Sequence, residues 1–151
     1  MFMLIVGAGR VGSAVAKWAL EQGHEVSVLD EDPLSQERLS PDGNTTWEDA
    51  GGQFTVGTAL EIEALEQAGM AQAEACILCT DGDNTNLVVA QIAQKRFNVS
   101  KVIVRVLDPY RAEWYREQGL HTVCPTQVAI EMLTDAVRGE GGSETAVQTG
   151  I

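Results

Sequence analysis

The residues of this chain best suited to chemistry stand near its start. Gly7, Gly9 and Gly12 follow the apolar run 2–6 in G-x-G-x-x-G spacing. Three glycines at that spacing recur by chance, so their surroundings decide what they mean. Here they lie between an expected strand and an expected helix. Asp30 then ends the next apolar run, 18 residues past Gly12. A dinucleotide diphosphate needs that arrangement: Gly7 permits the tight turn, Gly9 lets backbone approach phosphate, and Gly12 lets helix and strand pack closely. Arg10 and Val11 complete the loop, whose free helix-start N–H groups face the phosphates.

Asp30 is placed to accept hydrogen bonds from ribose hydroxyls. A carboxylate there repels a 2′-phosphate, and Glu31 and Asp32 add to the repulsion, which disfavours NADP. Arg10 is either a surface arginine or a fork of donors over phosphate oxygens. Ligands of open α/β sheets lie beyond the carboxyl ends of the strands, and that rule adds Thr58, Thr80, Asp81 and Arg105 to the ligand side. Arg105 interrupts the apolar "VIVRV", so its charge needs a partner, either a nucleotide phosphate or a nearby carboxylate.

Other reactive residues carry less. Cys76 and Cys79 form C-x-x-C in "EACILCT", a strand pattern that points residues three apart to opposite faces. With no second pair to complete a tetrahedral metal site, they read as core. Three cysteines in all point away from a disulfide framework and towards a reducing cytosol. His24 and His121 have no evident nucleophile beside them. A nicotinamide dehydrogenase needs a further region to hold its substrate against the ring, and only about one helix and a tail follow the sixth strand. The pattern is that of a domain that binds a nucleotide and does little chemistry with it.

The elements that must position these residues alternate throughout. Strands are expected at 2–6, 25–29, 53–56, 75–79, 101–106 and 121–124, and helices at 10–22, 60–68, 84–97, 109–118 and 126–138. Alternating β and α with continuous apolar runs implies an α/β fold, a doubly wound six-stranded parallel sheet buried on both faces. In 60–68, Leu60, Ala64, Leu65 and Ala68 form one apolar stripe, and Gly23, Gly69 and Gly119 stand where helices close. The segment 31–52 has too few apolar residues for a full crossover helix. A short helical turn at Leu34–Leu39 and a long loop suit it better. Residues 1–138 form one domain, and the glycine-rich 139–151 reads as a flexible tail or truncated linker.

Composition narrows the partners. A net charge of −12 is a poor match for nucleic acid. No apolar run approaches the roughly 18 residues of a membrane span, and 2–6 is too short for a signal peptide. Basic residues are scarce before Asp83, where only Arg10, Lys17 and Arg38 occur.

Three stretches together resemble the RCK (KTN, TrkA-N) domains, nucleotide-binding regulators of potassium uptake systems and channels. They are "MLIVGAGRVGSAVAKWALEQGHEVSVLDEDP", "ALEQAGMAQAEACILCTDGDNTNLVVAQIAQKRFNV" and "KVIVRVLDPYRAEWYREQGLHTVCPTQVAIEML". The resemblance implies a Rossmann-like six-stranded domain that pairs with itself, as a dimer or higher ring, beneath a membrane potassium transporter or channel subunit. It implies a cytoplasmic regulatory subunit rather than an enzyme, one that senses NAD(H) foremost, or ATP/ADP or AMP. The alternative is a small NAD-dependent oxidoreductase or the cofactor-binding part of one.

The same resemblance gives Arg10 and Arg105 the family's phosphate-contacting positions and places Thr80 and Asp81 at the nucleotide. Thr58 of "GTAL" stands where many members have an aspartate near the adenine. Thr126 of "CPTQV" replaces an acid that helps hold a cation in ATP-preferring members. Members often carry a second ligand-binding subdomain, so this chain reads as a single-domain member or a fragment. The last helix has Ala129, Met132, Leu133, Ala136 and Val137 on one face. That face covers either its own sheet or, as in the family, a partner subunit.

Overall fold

The computed structural model describes residues 1–139; the expected tail, apart from Gly139, lies outside the described residues. Six strands form one sheet: β1 (Phe2–Val6), β2 (Glu25–Asp30), β3 (Gln53–Val56), β4 (Ala75–Leu78), β5 (Lys101–Arg105) and β6 (His121–Val123). Five helices join or follow them: α1 (Arg10–Glu21), α2 (Ile62–Gln67), α3 (Asp83–Lys95), α4 (Pro109–Glu117) and α5 (Pro125–Arg138). The strand order is β3-β2-β1-β4-β5-β6, and every pairing is parallel. The chain therefore starts in the middle of the sheet, builds one half, and crosses back to build the other. That reversal leaves a crevice between the loops following β1 and β4.

Alternation within β1 divides the core into two layers. Leu4 and Val6 join Cys76, Leu78, Val102 and Val104 under α2, α3 and α4. Met3 and Ile5 point the other way, towards Ala16 and Ala19 of α1. Small residues line the buried stripe of α1 (Gly12, Ser13, Ala16, Ala19), so the helix axis can come close to the sheet. Cys76 and Cys79 lie on opposite faces of the sheet, as their spacing requires, and both are buried thiols.

The expected strands end within a residue of those observed, because the last apolar residue of a run often donates one more bond before the chain turns. Cys79 N–H still reaches the Val6 carbonyl at 2.7 Å, and Val106 N–H reaches that of Val123 at 3.0 Å. Gly23, Gly69 and Gly119 follow their helices in left-handed conformation, as expected. The expected stripe of 60–68 needs correction at one end. A turn closed by Glu61 N–H on the Thr58 carbonyl delays the start of α2 to Ile62. Leu60 is thereby left half-exposed instead of joining Ala64, Leu65 and Ala68 in the core.

Segment 31–52 contains the short turn, a 3-10 helix at Pro33–Leu39 begun by Asp32 Oδ1 accepting from Leu34 N–H at 3.0 Å. The loop after it does a helix's packing with one side chain. Trp47 is fully buried against Val26, Val28 and Leu39, and its indole N–H donates to the Gln53 carbonyl at 2.8 Å. Composition alone concealed this, since a lone tryptophan in a polar stretch has no periodicity.

One face of the sheet is only half covered. α1, the 3-10 turn and the Trp47 loop cover β1–β3. Over β4–β6, on that same side, Ile77 and Ile103 are half-buried and Val123 is exposed. α5 does not fill the gap, since none of its residues is buried. Packing of its apolar stripe on its own sheet, one of the two arrangements open to it, is not what the chain adopts.

Candidate nucleotide site

The loop after β1 is shaped by contacts that leave no room for side chains. Gly7 has φ +99°, and its N–H donates to the Leu29 carbonyl at 2.8 Å. A Cβ at Gly7 would lie 2.7 Å from the backbone of Cys79 and Thr80, so a methyl group would push the β4 loop away. A Cβ at Gly12 would strike the carbonyl oxygen of Gly7. At Gly9, by contrast, a Cβ meets nothing within 4 Å. The backbone there faces open space, as a phosphate-approaching glycine should. Gly9 is also the N-cap of α1, and the first helical turn carries no acid. Its N–H groups are free for an anion.

Asp30, at the end of β2, is drawn to the loop by hydrogen bonds. Its Oδ2 accepts from Ala8 N–H at 2.7 Å and its Oδ1 from Asp32 N–H at 2.8 Å. Each oxygen keeps a second lone pair for a ribose hydroxyl. Opposite Asp30 in the bond pattern is a residue the sequence did not point to. Arg38, on the 3-10 turn, donates from Nη1 to the Ala8 carbonyl at 3.2 Å and to Ser35 Oγ at 3.5 Å.

Across the crevice, the loop after β4 is held from below. The Asn86 side chain, 1% exposed, accepts from Thr80 N–H (3.1 Å) and Thr80 Oγ1 (2.6 Å). Its amide donates to the carbonyls of Thr80 (3.0 Å) and Arg105 (2.9 Å). All four hydrogen-bonding directions of the amide tie α3 and β5 to this loop. Arg105 Nη2 donates to the carbonyls of Cys79 and Thr80, both at 2.9 Å, and lies 3.4 Å from the exposed Asp81 carboxylate. Arg105 Nε is buried without a partner.

Of the residues expected at the site, Gly7, Gly9, Asp30, Glu31, Thr58, Thr80 and Asp81 line one cleft of about 500 Å³, a usual size for a small-molecule site. Gly12 lies behind the loop and sets the spacing of α1. Arg10 and Val11 are on the exposed first turn of α1 and do not line the cleft. Arg105 does not line it either. Its guanidinium faces loop carbonyls, with the carboxylate as a longer contact. Arg38, Ser35 and Leu60 line the cleft without having been expected there. Asn86 was also missed. The only available signal for Arg38 was its isolation, as the one basic residue between Lys17 and Lys95.

The cleft has little to do chemistry with. Burial pushes the Cys79 thiol up, and Arg105 lowers it only in part. A protonated, buried thiol is a poor nucleophile. His24 instead contacts the N-terminal amine through Nδ1 at 3.1 Å, and neither histidine lines the cleft. Among the described residues no group of three metal-ligating side chains occurs.

Strand order, glycine loop and carboxylate together define a domain of the doubly wound α/β class, with a cleft shaped to suit a nucleotide. Residues 3–126 match the model of the TrkA-N domain, and the chain belongs to that family. It is 39% identical over 133 residues to the Trk system potassium uptake protein TrkA of Streptomyces coelicolor, covering 88% of this chain and 56% of that protein. The chain thus spans about half the length of such relatives. Among solved structures it resembles the Shewanella denitrificans Kef CTD in its AMP-bound form (TM-score 0.74, 23% identity, 99% of this chain and 88% of that one). It also resembles the GsuK channel bound to NAD (TM-score 0.73, 20% identity, 94% and 24%). At those identities the likeness establishes the fold.

Proposed function

We propose that this chain is the nucleotide-binding regulatory part of a potassium transport system, sensing NAD(H) or an adenine nucleotide and switching a membrane partner. Family membership supports the transport role, and the relatives carry names to match: potassium uptake for TrkA, AMP-bound for Kef, NAD-bound for GsuK. The residues fit the ligand. The open side of Gly9 and the uncapped start of α1 suit a phosphate, and the spare lone pairs of Asp30 suit a ribose. On this reading Gly7, Gly9, Arg10, Val11 and Gly12 form the loop at the phosphates, Asp30 and Glu31 meet the sugar, Thr80 and Asp81 form the far wall, and Thr58 lies beyond Asp30, past the end of β3. Arg10 would reach the phosphates only by swinging from its exposed position.

One observation carries the regulatory reading. Arg105 lies on the half-covered face of the sheet, yet grips the carbonyls of Cys79 and Thr80, whose loop lines the cleft. A ligand that shifts this loop therefore shifts a side chain on the face left for a partner. Such a ligand biases the assembly by its difference in affinity between the two arrangements. The natural cover for that face and for α5 is a second copy of the chain, giving a dimer or ring. No described helix is long and apolar enough to cross a membrane; on this reading the membrane partner holds the chain at the inner membrane face.

Thermal shift with NAD+, NADH, ATP, ADP and AMP tests the ligand, since only a nucleotide bound to the native state raises the midpoint. Sedimentation at micromolar concentration tests self-association, and a monomer with and without nucleotide would overturn it. Restored potassium uptake in a cell lacking its own regulatory subunit tests the transport role.

A further inference from the structure

We propose that Arg38 is a positioning residue for an anion: by holding the Ala8 carbonyl it aims the Gly9 N–H at a bound phosphate. The inference rests on the nucleotide reading above and adds to it a residue from outside the glycine loop. Arg38 Nη1 donates to the Ala8 carbonyl at 3.2 Å. That carbonyl shares one peptide group with the Gly9 N–H, and the peptide is trans. In a planar trans peptide the two point in opposite directions, so fixing one fixes the other. Ala8 is fully buried, and among the described residues Arg38 is the only donor to its carbonyl.

The N–H so directed is a free one. Gly9 lines the cleft, a Cβ there meets nothing within 4 Å, and its N–H finds no acceptor among the described residues. A backbone donor left open in a cleft suits an anion oxygen. Asp30 cannot do this work. Its Oδ2 accepts from the Ala8 N–H at 2.7 Å and so fixes the preceding peptide, which leaves the Ala8–Gly9 peptide free to turn. Arg38 removes that freedom, and its guanidinium is itself steadied at 3.5 Å by the buried Ser35 Oγ on the same turn. A charged donor on the carbonyl also polarises the peptide, which makes its N–H a better donor. Arg38 is the sole cation lining the cleft, against Asp30, Glu31, Asp32 and Asp81. A charge acting merely through space would be screened by salt, whereas a directed N–H is not.

Amide proton–nitrogen NMR spectra of the isotope-labelled full chain and its Arg38→Ala and Arg38→Lys variants, titrated with AMP, NAD+ and adenosine, test this. In unliganded Arg38→Ala the Gly9 amide resonance should move. Whichever of AMP and NAD+ binds the unaltered chain should bind Arg38→Ala about tenfold more weakly, the scale of one charge-assisted hydrogen bond. Adenosine, which has no phosphate, should bind as before. The loss should be equal at about 0.05 M and about 0.5 M salt. In Arg38→Lys the Gly9 resonance and the nucleotide affinity should recover together or stay altered together, and recovery of one alone overturns the proposal. A Gly9 resonance unmoved in Arg38→Ala overturns it, as does unchanged nucleotide affinity. An equal loss for adenosine makes Arg38 a general support of the cleft, and a loss that vanishes at high salt makes it a source of charge; either result overturns it. If the unaltered chain binds neither AMP nor NAD+, the nucleotide reading falls and takes this assignment with it.

Discussion

Asp30 and Arg38 meet through a single residue: the carboxylate accepts from Ala8 N–H at 2.7 Å, and the guanidinium donates to the Ala8 carbonyl at 3.2 Å. Two side chains of opposite charge from consecutive elements thereby set the peptide planes on either side of Ala8. The glycine loop is in this way shaped from outside itself. Asp30→Ala should weaken NAD(H) or AMP by tenfold or more in calorimetry. It should also lower stability in urea by about 1–3 kcal/mol, since two N–H groups lose a charged acceptor.

Arg10→Ala separates ligand contact from folding. The side chain is exposed and does not line the cleft. Its removal should change the urea midpoint by an equivalent of no more than about 0.5 kcal/mol. Nucleotides bearing a diphosphate should nonetheless bind more weakly, if the guanidinium swings over them as proposed. Equal affinity in calorimetry rules out that role.

Asn86→Leu tests the far wall. The leucine is close in volume but offers neither donor nor acceptor. It would leave the Arg105 carbonyl and the Thr80 N–H without their buried partner, while the Thr80 carbonyl keeps its bond from Arg105 Nη2. Destabilisation of about 2–4 kcal/mol is expected from the groups left unsatisfied. Hydrogen exchange at Thr80 N–H should accelerate by more than the global loss explains.

The thiols give the chain a pH dependence. Burial, with Cys79 adding to it, pushes Cys76 from 9.0 to about 12, and burial also raises Cys79. A thiol whose folded pKa is raised stabilises the fold fully below its unfolded pKa. That contribution is lost as pH rises from the unfolded towards the folded value. Stability in urea should therefore fall from about pH 9 upward, by at most about 1.4 kcal/mol per pH unit for each thiol. At pH 8 a thiol reagent should label none of the three buried cysteines quickly until denaturant is added.

The elements and the first half of the cleft were legible because they rest on local rules. Continuous apolar runs marked strands buried on both faces, and they ended within a residue of the observed limits. Gly7, Gly12 and Asp30 were legible because their spacing reflects a local geometric need: a strand, a turn and a helix start leave no room for Cβ atoms. Residues whose roles depend on neighbours far along the chain were not. Arg38 matters through Ala8, 30 residues before it, and Asn86 through Arg105, 19 residues after it. Trp47 replaces a helix only because the sheet beneath it lacks one.

By itself the sequence determined the parallel α/β class, the tight glycine loop and the carboxylate that ends the next strand, since each follows from periodicity or from spacing within one βαβ unit. Tertiary structure alone decided which of the three expected or available arginines enters the cleft, and that α5 stays off its own sheet. Those outcomes turn on what each side chain finds when distant segments come together. Arg105 finds carbonyls, Arg10 finds solvent and Arg38 finds the glycine loop.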